Sequence, residues 1–225
     1  MAKLLWDQVG ERLYENGVKN GVLYRQDEEG NYPEGVAWNG LTGVSEEPDG
    51  GDATEIYADD QKYLSIRARE DFGLTITAYT YPDEFLLCDG TAEPVAGMVV
   101  AQQPRKPFGF SYVTTIGNDL KYEDYGEIIH LVYGCTASPS SKDFQTINDS
   151  PEAIEFSWEV DTIPEEVPGF KPTAHVQLKS TNFKGKEAKF QAIKDILYGT
   201  DGSGGTAGTT ARLPKPKELM SILST

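Results

Sequence analysis

Apolar and polar residues alternate with a period of two over much of this chain. Leu74, Ile76 and Ala78 alternate with Thr75, Thr77 and Tyr79. Ile154, Phe156, Trp158 and Val160 alternate with Glu155, Ser157 and Glu159, and Ala174, Val176 and Leu178 with Thr173, His175 and Gln177. Phe108, Phe110 and Tyr112 repeat the pattern. So do Leu64, Ile66 and Ala68, set against Tyr63, Ser65, Arg67 and Arg69. Each run predicts a strand with one buried face. Ile128–Tyr133 is almost continuously apolar and predicts a central strand. Val22–Tyr24 and Val36–Trp38 predict shorter strands, and the slip of apolar phase to Leu41 predicts a bulge around Gly40.

Helical spacing is confined to three places. Phe190, Ile193, Ile196 and Leu197 predict a helix over 185–199, with Gly199 at its C-terminal end. Pro82–Gly90 reads as a short helix opened by its proline. Leu219, Ile222 and Leu223 form the stripe of a short terminal helix, which should dock on the chain's own core. The sum is eight or nine strands, one medium helix and two short ones. That is a mainly β fold, an antiparallel sandwich or barrel with a flanking helix and a short C-terminal helix, in one domain spanning 1–225.

Three segments fit this core poorly. Residues 1–21 carry Leu4, Leu5, Trp6 and Val9, but Gly10, Gly17 and Gly21 argue against a long helix. They read as an extended arm whose apolar residues have no local home. Residues 43–60 are acidic and punctuated by Gly and Pro, which predicts a long loop or hairpin arm. Residues 200–225 begin with a Gly/Thr-rich linker leading to the terminal helix.

Composition narrows the functional classes. The chain has 225 residues, a net charge of −16 and 11% aromatic residues. A surface this acidic repels phosphates, so tight nucleic-acid binding is excluded. Cys88 and Cys135 lack any CxxC spacing and read as reduced core thiols. No apolar run is long enough for a membrane span or a signal peptide, so folding in a cytoplasm is expected.

Catalytic patterns are lacking: there is no Gly-x-Ser-x-Gly elbow, no HExxH and no EF-hand spacing. Gly202–Gly208 lacks the Gly-Lys-Ser/Thr ending of a phosphate loop and reads as a linker. His130 sits inside an apolar run and reads as a satisfied strand histidine. His175, on the polar face of its strand, should be exposed to solvent. No catalytic residue, metal ligand or cofactor is expected. Asp49, Asp52, Asp59 and Asp60 read as a solvated acidic hairpin rather than a calcium site.

An ordered set of short motifs runs through nearly the whole chain. It comprises Tyr14-Glu-x-Gly-Val18, Gly21–Tyr24, Gly35–Thr42, Tyr57–Asp59, Tyr79–Phe85 with Cys88–Gly90, and Phe108–Phe110. Tyr133–Cys135, Asn148–Ala153, Phe156–Val160 and Ile196–Gly202 complete it. Together these resemble the major tail tube protein of long-tailed, non-contractile bacteriophages and prophages; only the Gly-rich stretch 203–210 departs from the pattern. The resemblance implies a non-enzymatic structural subunit with a β-sandwich and flanking helix. It implies hexameric rings of identical chains that stack into a hollow tube. The tube holds a tape-measure protein, meets tail terminator and distal tail or baseplate proteins at its ends, and passes DNA as transient cargo. Such a protein is assembled in the host bacterial cytoplasm and ends in the virion tail, without inserting in a membrane.

On this reading Glu46, Glu47, Asp49, Asp52, Glu55, Ile56 and Tyr57 are candidate inter-ring contacts. Leu4, Leu5, Trp6 and Val9 are candidate arm contacts, and Ser65, Arg67, Thr75 and Thr77 are candidates to face the lumen. Two other readings share the fold class: a carbohydrate- or receptor-binding sandwich module, and the tube protein of a contractile tail or injection machine.

Overall fold

The structure is a computed structural model that describes residues 3–144, 146–147, 153–202 and 207–224. The motif residues 148–152 and the glycine-rich residues 203–206 lie outside that set. Twelve strands are present among the described residues: β1 (Leu13–Arg25), β2 (Glu34–Trp38), β3 (Leu41–Gly50), β4 (Ala53–Ala58), β5 (Gln61–Arg67), β6 (Glu70–Ala78), β7 (Ala92–Val95), β8 (Met98–Val100), β9 (Phe108–Asn118), β10 (Tyr122–Ala137), β11 (Phe156–Asp161) and β12 (His175–Lys179). Two α-helices follow, α1 (Glu187–Tyr198) and α2 (Pro216–Ser224). Pro82–Gly90 contains a 3-10 turn over Asp83–Leu87 in place of an α-helix.

Eight strands form one antiparallel sheet in the order β2-β1-β9-β10-β11-β6-β3, with β12 also paired to β10. The sheet folds over on itself through β10. Residues up to Val132 pair with β9 and β12, whereas Thr136 and Ala137 pair with β11. The register breaks between Val132 and Cys135. Gly134 lies there at φ +60°, and a Cβ on it would stand 2.4 Å from the Ile163 carbonyl oxygen. Only glycine fits that corner. Its N–H donates to the Tyr32 hydroxyl at 2.9 Å.

The folding-over produces two hydrophobic cores. One lies between the two halves of the sheet and contains Leu23, Trp38, Ile76, Phe85, Phe110 and Trp158. Trp38 is its anchor, with its ring 4.6 Å from Phe85, 5.6 Å from Phe110 and 5.5 Å from Trp158, centroid to centroid. The other core joins the opposite face of the first half to the helices, through Ile129, Leu131, Tyr133, Phe190, Ile193, Leu197 and Leu219. Strand β10 is thus covered on both faces, which explains its near-continuous apolar run. The terminal helix docks on the chain's own core, as its stripe predicts.

Buried tyrosines close the helix layer. The Tyr24 hydroxyl donates to the Leu197 carbonyl at 2.9 Å, one of the last-turn carbonyls of α1 that lack a helical partner. The Tyr133 hydroxyl donates to the Pro214 carbonyl at 3.0 Å. Both cysteines are buried with free thiols, and burial pushes the Cys88 thiol up to about 12.

The strand count exceeds the eight or nine expected because β3, β4, β7 and β8 coincide with no expected strand; β4–β5 and β7–β8 form hairpins of their own. The pattern at Leu64, Ile66 and Ala68 is a true alternation, but its apolar face is not buried. Every residue of β5 is exposed, because β4 and β5 pair only with each other, beyond the end of the sandwich.

Candidate assembly surfaces and a histidine cluster

Strands β3 and β6 leave the sandwich as a paired ladder and continue as the β4–β5 hairpin. From Glu46 to Ala58 the path measures roughly 40 Å at strand rise. Gly50 and Gly51, at φ +87° and +76°, turn the chain between the two ladders. A Cβ on Gly50 would lie 2.5 Å from the Arg69 carbonyl oxygen. At the tip Asp59 and Asp60 both have positive φ, the geometry of a two-residue type I′ turn that Asp tolerates. The segment expected to be a loop or hairpin arm is therefore a two-tier hairpin.

Cross-strand partners share a face. Ile56 pairs with Leu64 and Thr54 with Ile66, so these form one largely apolar face. Ile56 is 40% exposed and Ile66 55% exposed. Glu55 pairs with Ser65 and Ala53 with Arg67 on the opposite face. Glu55 there accepts hydrogen bonds from Tyr57 and Lys62. The smaller hairpin β7–β8 also holds Val95, Met98 and Val99 exposed; no reading of the sequence singled it out.

The N-terminal arm is tied down at Gly10. Its N–H donates to the Asp119 carboxylate at 2.9 Å, and Asn118 donates to its carbonyl at 3.0 Å. Residues 13–25 then enter β1. Ahead of that anchor, Leu4, Leu5, Trp6 and Val9 are 65–73% exposed. They lack cover among the described residues.

The candidate lumen residues separate. Thr75 and Thr77 lie on the outer face of the second half of the sheet, whereas Ser65 and Arg67 lie on the projecting hairpin. Around Thr75 and Thr77 the ladders place Gly43, Ser45 and Glu47 of β3 and Ser157, Glu159 and Asp161 of β11 on the same face. These residues carry small hydroxyls and carboxylates, and none of them is cationic. Thr75 donates to Glu47 at 2.9 Å, and Thr77 donates to the Gly43 carbonyl at 3.2 Å. Glu47, Asp49 and Asp52 lie along the hairpin's lower ladder and bend.

Glu46 differs from its neighbours. It turns inward at the hairpin root and accepts a hydrogen bond from the Tyr112 hydroxyl at 2.6 Å. Its Oε1 lies 3.3 Å from His130 Nδ1 and 3.5 Å from His175 Nε2. The two imidazole nitrogens are 3.2 Å apart. His175 is not solvent-exposed as its strand phase suggested. Its side chain is 12% exposed and stacks on Phe72 at 4.7 Å, because Glu46 and Phe72 from the other half of the sheet close over it. His130 is buried and stacks on Tyr112 at 4.4 Å.

Burial lowers both histidines below their ordinary value, against the opposing pull of Glu46, so both rings are neutral near neutral pH. His130 Nε2 is 3.0 Å from the Thr114 hydroxyl, whose single proton goes to Glu15. The protonated nitrogen of His130 is then Nε2, and Nδ1 presents its lone pair to the cluster.

Pairing of β10 with β12 brings the two histidines together, and the folding-over of the sheet brings Glu46 to them. His130 lies opposite Gln177, two residues from His175 and on the same face. Both histidines stand out in the sequence as the chain's only two, but their adjacency requires the register.

The molecule is thus a mainly β antiparallel sandwich with helices on one face. No family model and no curated protein matches the chain. Among solved structures, a chain of the anti-feeding prophage baseplate, determined by cryo-EM, matches at 9% identity and a TM-score of 0.38. The match covers 78% of this chain and 97% of that one. Among the described residues no helix is long and apolar enough to cross a membrane.

Proposed function

We propose that this chain is the structural subunit of a phage-type tail tube. Six copies close a ring and rings stack into a hollow tube, which holds a tape-measure protein before it conducts DNA. The reading rests on one observation above all: apolar side chains are held on segments that leave the body. Leu4, Leu5, Trp6 and Val9 precede the Gly10 anchor, and Ile56, Leu64 and Ile66 line the hairpin. Covering a side chain of this size is worth about 1.5–3 kcal/mol. Seven of them offer roughly 10 kcal/mol per subunit, enough to offset much of the cost of association.

Other features fit the same reading. Strand β3 is a free sheet edge, which ring closure would pair. The cation-free face around Thr75 and Thr77 suits a lumen, where carboxylates repel DNA phosphates and keep passage fast. In this arrangement the hairpin and the arm reach neighbouring subunits, and Ser65 and Arg67 belong to the hairpin's contacts rather than to the lumen wall. Terminator and distal tail proteins would cap the ends, and assembly would take place in the host cytoplasm.

Negative-stain microscopy of the concentrated, purified chain tests the proposal. Tubes with a six-fold outline are expected. A variant in which a two-residue turn replaces residues 51–69, joining the paired positions Gly50 and Glu70, should remain folded and form no tubes. A wild-type chain that stays monomeric at every concentration would overturn the reading, as would normal tubes from the shortened variant.

A further inference from the structure

We propose that Glu46, His130 and His175 form a binding site for a divalent cation of the zinc type. Their donor atoms make a triangle with sides of 3.2, 3.3 and 3.5 Å. Zinc bound to imidazole nitrogen and carboxylate oxygen at 2.0–2.2 Å in tetrahedral geometry sets its donors about 3.3–3.5 Å apart. The triangle therefore has the dimensions of one face of that tetrahedron. Two imidazoles and one carboxylate also make up a known three-ligand donor set for zinc, with a fourth position left for water or another ligand. Glu46 is partly exposed, so the site opens on its side.

The surroundings suit ligation. His130 Nε2–H is held by Thr114, which passes its own proton to Glu15. A relay of this kind, ending in a carboxylate, fixes the ring and directs its Nδ1 lone pair into the triangle. Tyr112 holds Glu46 from the other side. Without an ion, His175 Nε2–H donates to His130 Nδ1. Binding moves that proton, by exchange with solvent, from Nε2 to Nδ1 of His175; the ring stays neutral, and both facing nitrogens are free to coordinate. The His175 ring adjusts about χ2, a torsion with a broad energy profile in histidine, while the relay holds His130.

The ligands come from β3, β10 and β12, so the ion would join the root of the projecting hairpin to the body of the sandwich. This inference does not depend on the assembly reading.

The chain has only two histidines, which makes a direct test possible. Full-length protein without a polyhistidine tag is titrated with Co²⁺, followed by visible absorption and by proton NMR. The expected result is one Co²⁺ per chain, a ligand-field band of a low-coordinate site, hyperfine-shifted signals from two imidazoles, and displacement by Zn²⁺. His175→Asn and Glu46→Gln, checked for native fold by circular dichroism, should each lose at least tenfold in affinity. Thr114→Val should lose about tenfold through the relay. The proposal fails if the wild-type chain binds no Co²⁺ or gives no shifted imidazole signals. It fails equally if folded His175→Asn binds as tightly as wild type. Should the variants not fold, the wild-type NMR result decides alone.

Discussion

Trp38 and Trp158 sit in the same aromatic cluster, both buried, yet they differ in one hydrogen bond. The Trp38 indole donates to the Thr80 carbonyl at 2.9 Å. The Trp158 indole N–H is buried and finds no hydrogen-bond partner among the described residues. Replacing either by Phe removes similar volume from the same core, so the cavity cost should be similar. Trp38→Phe loses the hydrogen bond as well, and should destabilise the chain by about 1 kcal/mol more than Trp158→Phe. Urea unfolding of the two variants measures the difference; equal losses would mean that the Thr80 bond contributes nothing net. Both tryptophans were legible as core residues from their alternation. His175 was not. Strand phase assigns a residue to a face, but not what the other half of the sheet lays over that face. Gly134 likewise looked ordinary, because the corner it turns is defined by Ile163, far away in sequence.

At the scale of elements, legibility followed covering. Strands β6, β9, β10 and β11 were readable because their neighbours bury the faces that their patterns mark. Strand β5 was readable as a strand but misread as a wall of the core, because an apolar face left exposed on a projecting hairpin alternates like one that is buried. Hairpin β7–β8 is too short and interrupted to leave a periodic trace.

The terminal helix illustrates an element fixed from both sides. Leu219 buries its stripe, and Arg212 grips Glu218 with both guanidinium nitrogens. That pairing holds the Glu218 carboxyl below its ordinary 4.5. A depressed carboxylate contributes stability above its unfolded pKa and loses it as pH falls through the lower folded value. Both side chains are about 40% exposed, so solvent screening limits the pair to about 0.5–1 kcal/mol. Glu218→Gln should therefore lower stability by that amount at about pH 7, and the gap to wild type should narrow below about pH 4. Denaturant titrations across that range would follow it. A gap independent of pH would mean that helix docking rests on Leu219 and not on the ion pair.

At the scale of the whole molecule, two forces oppose each other in any self-assembly. Each chain carries a net charge of −16, so copies repel at a distance. The contacts available on the arm and the hairpin are largely apolar and act only at short range. Salt separates the two. Raising ionic strength from about 0.05 to 0.5 M shortens the screening length from more than 10 Å to less than 5 Å. It weakens the repulsion while leaving apolar burial intact. If the proposed tubes form, the concentration at which they first appear should therefore fall as salt rises, by tenfold or more if screening removes only about 1.4 kcal/mol of repulsion per chain. Light scattering against protein concentration at several salt levels measures that threshold. A threshold that rises with salt would mean that subunits are held by pairing opposite charges. The contacts would then have to be sought among the cationic residues of the chain, Arg67 on the hairpin first, rather than among Ile56, Leu64, Ile66 and the N-terminal arm.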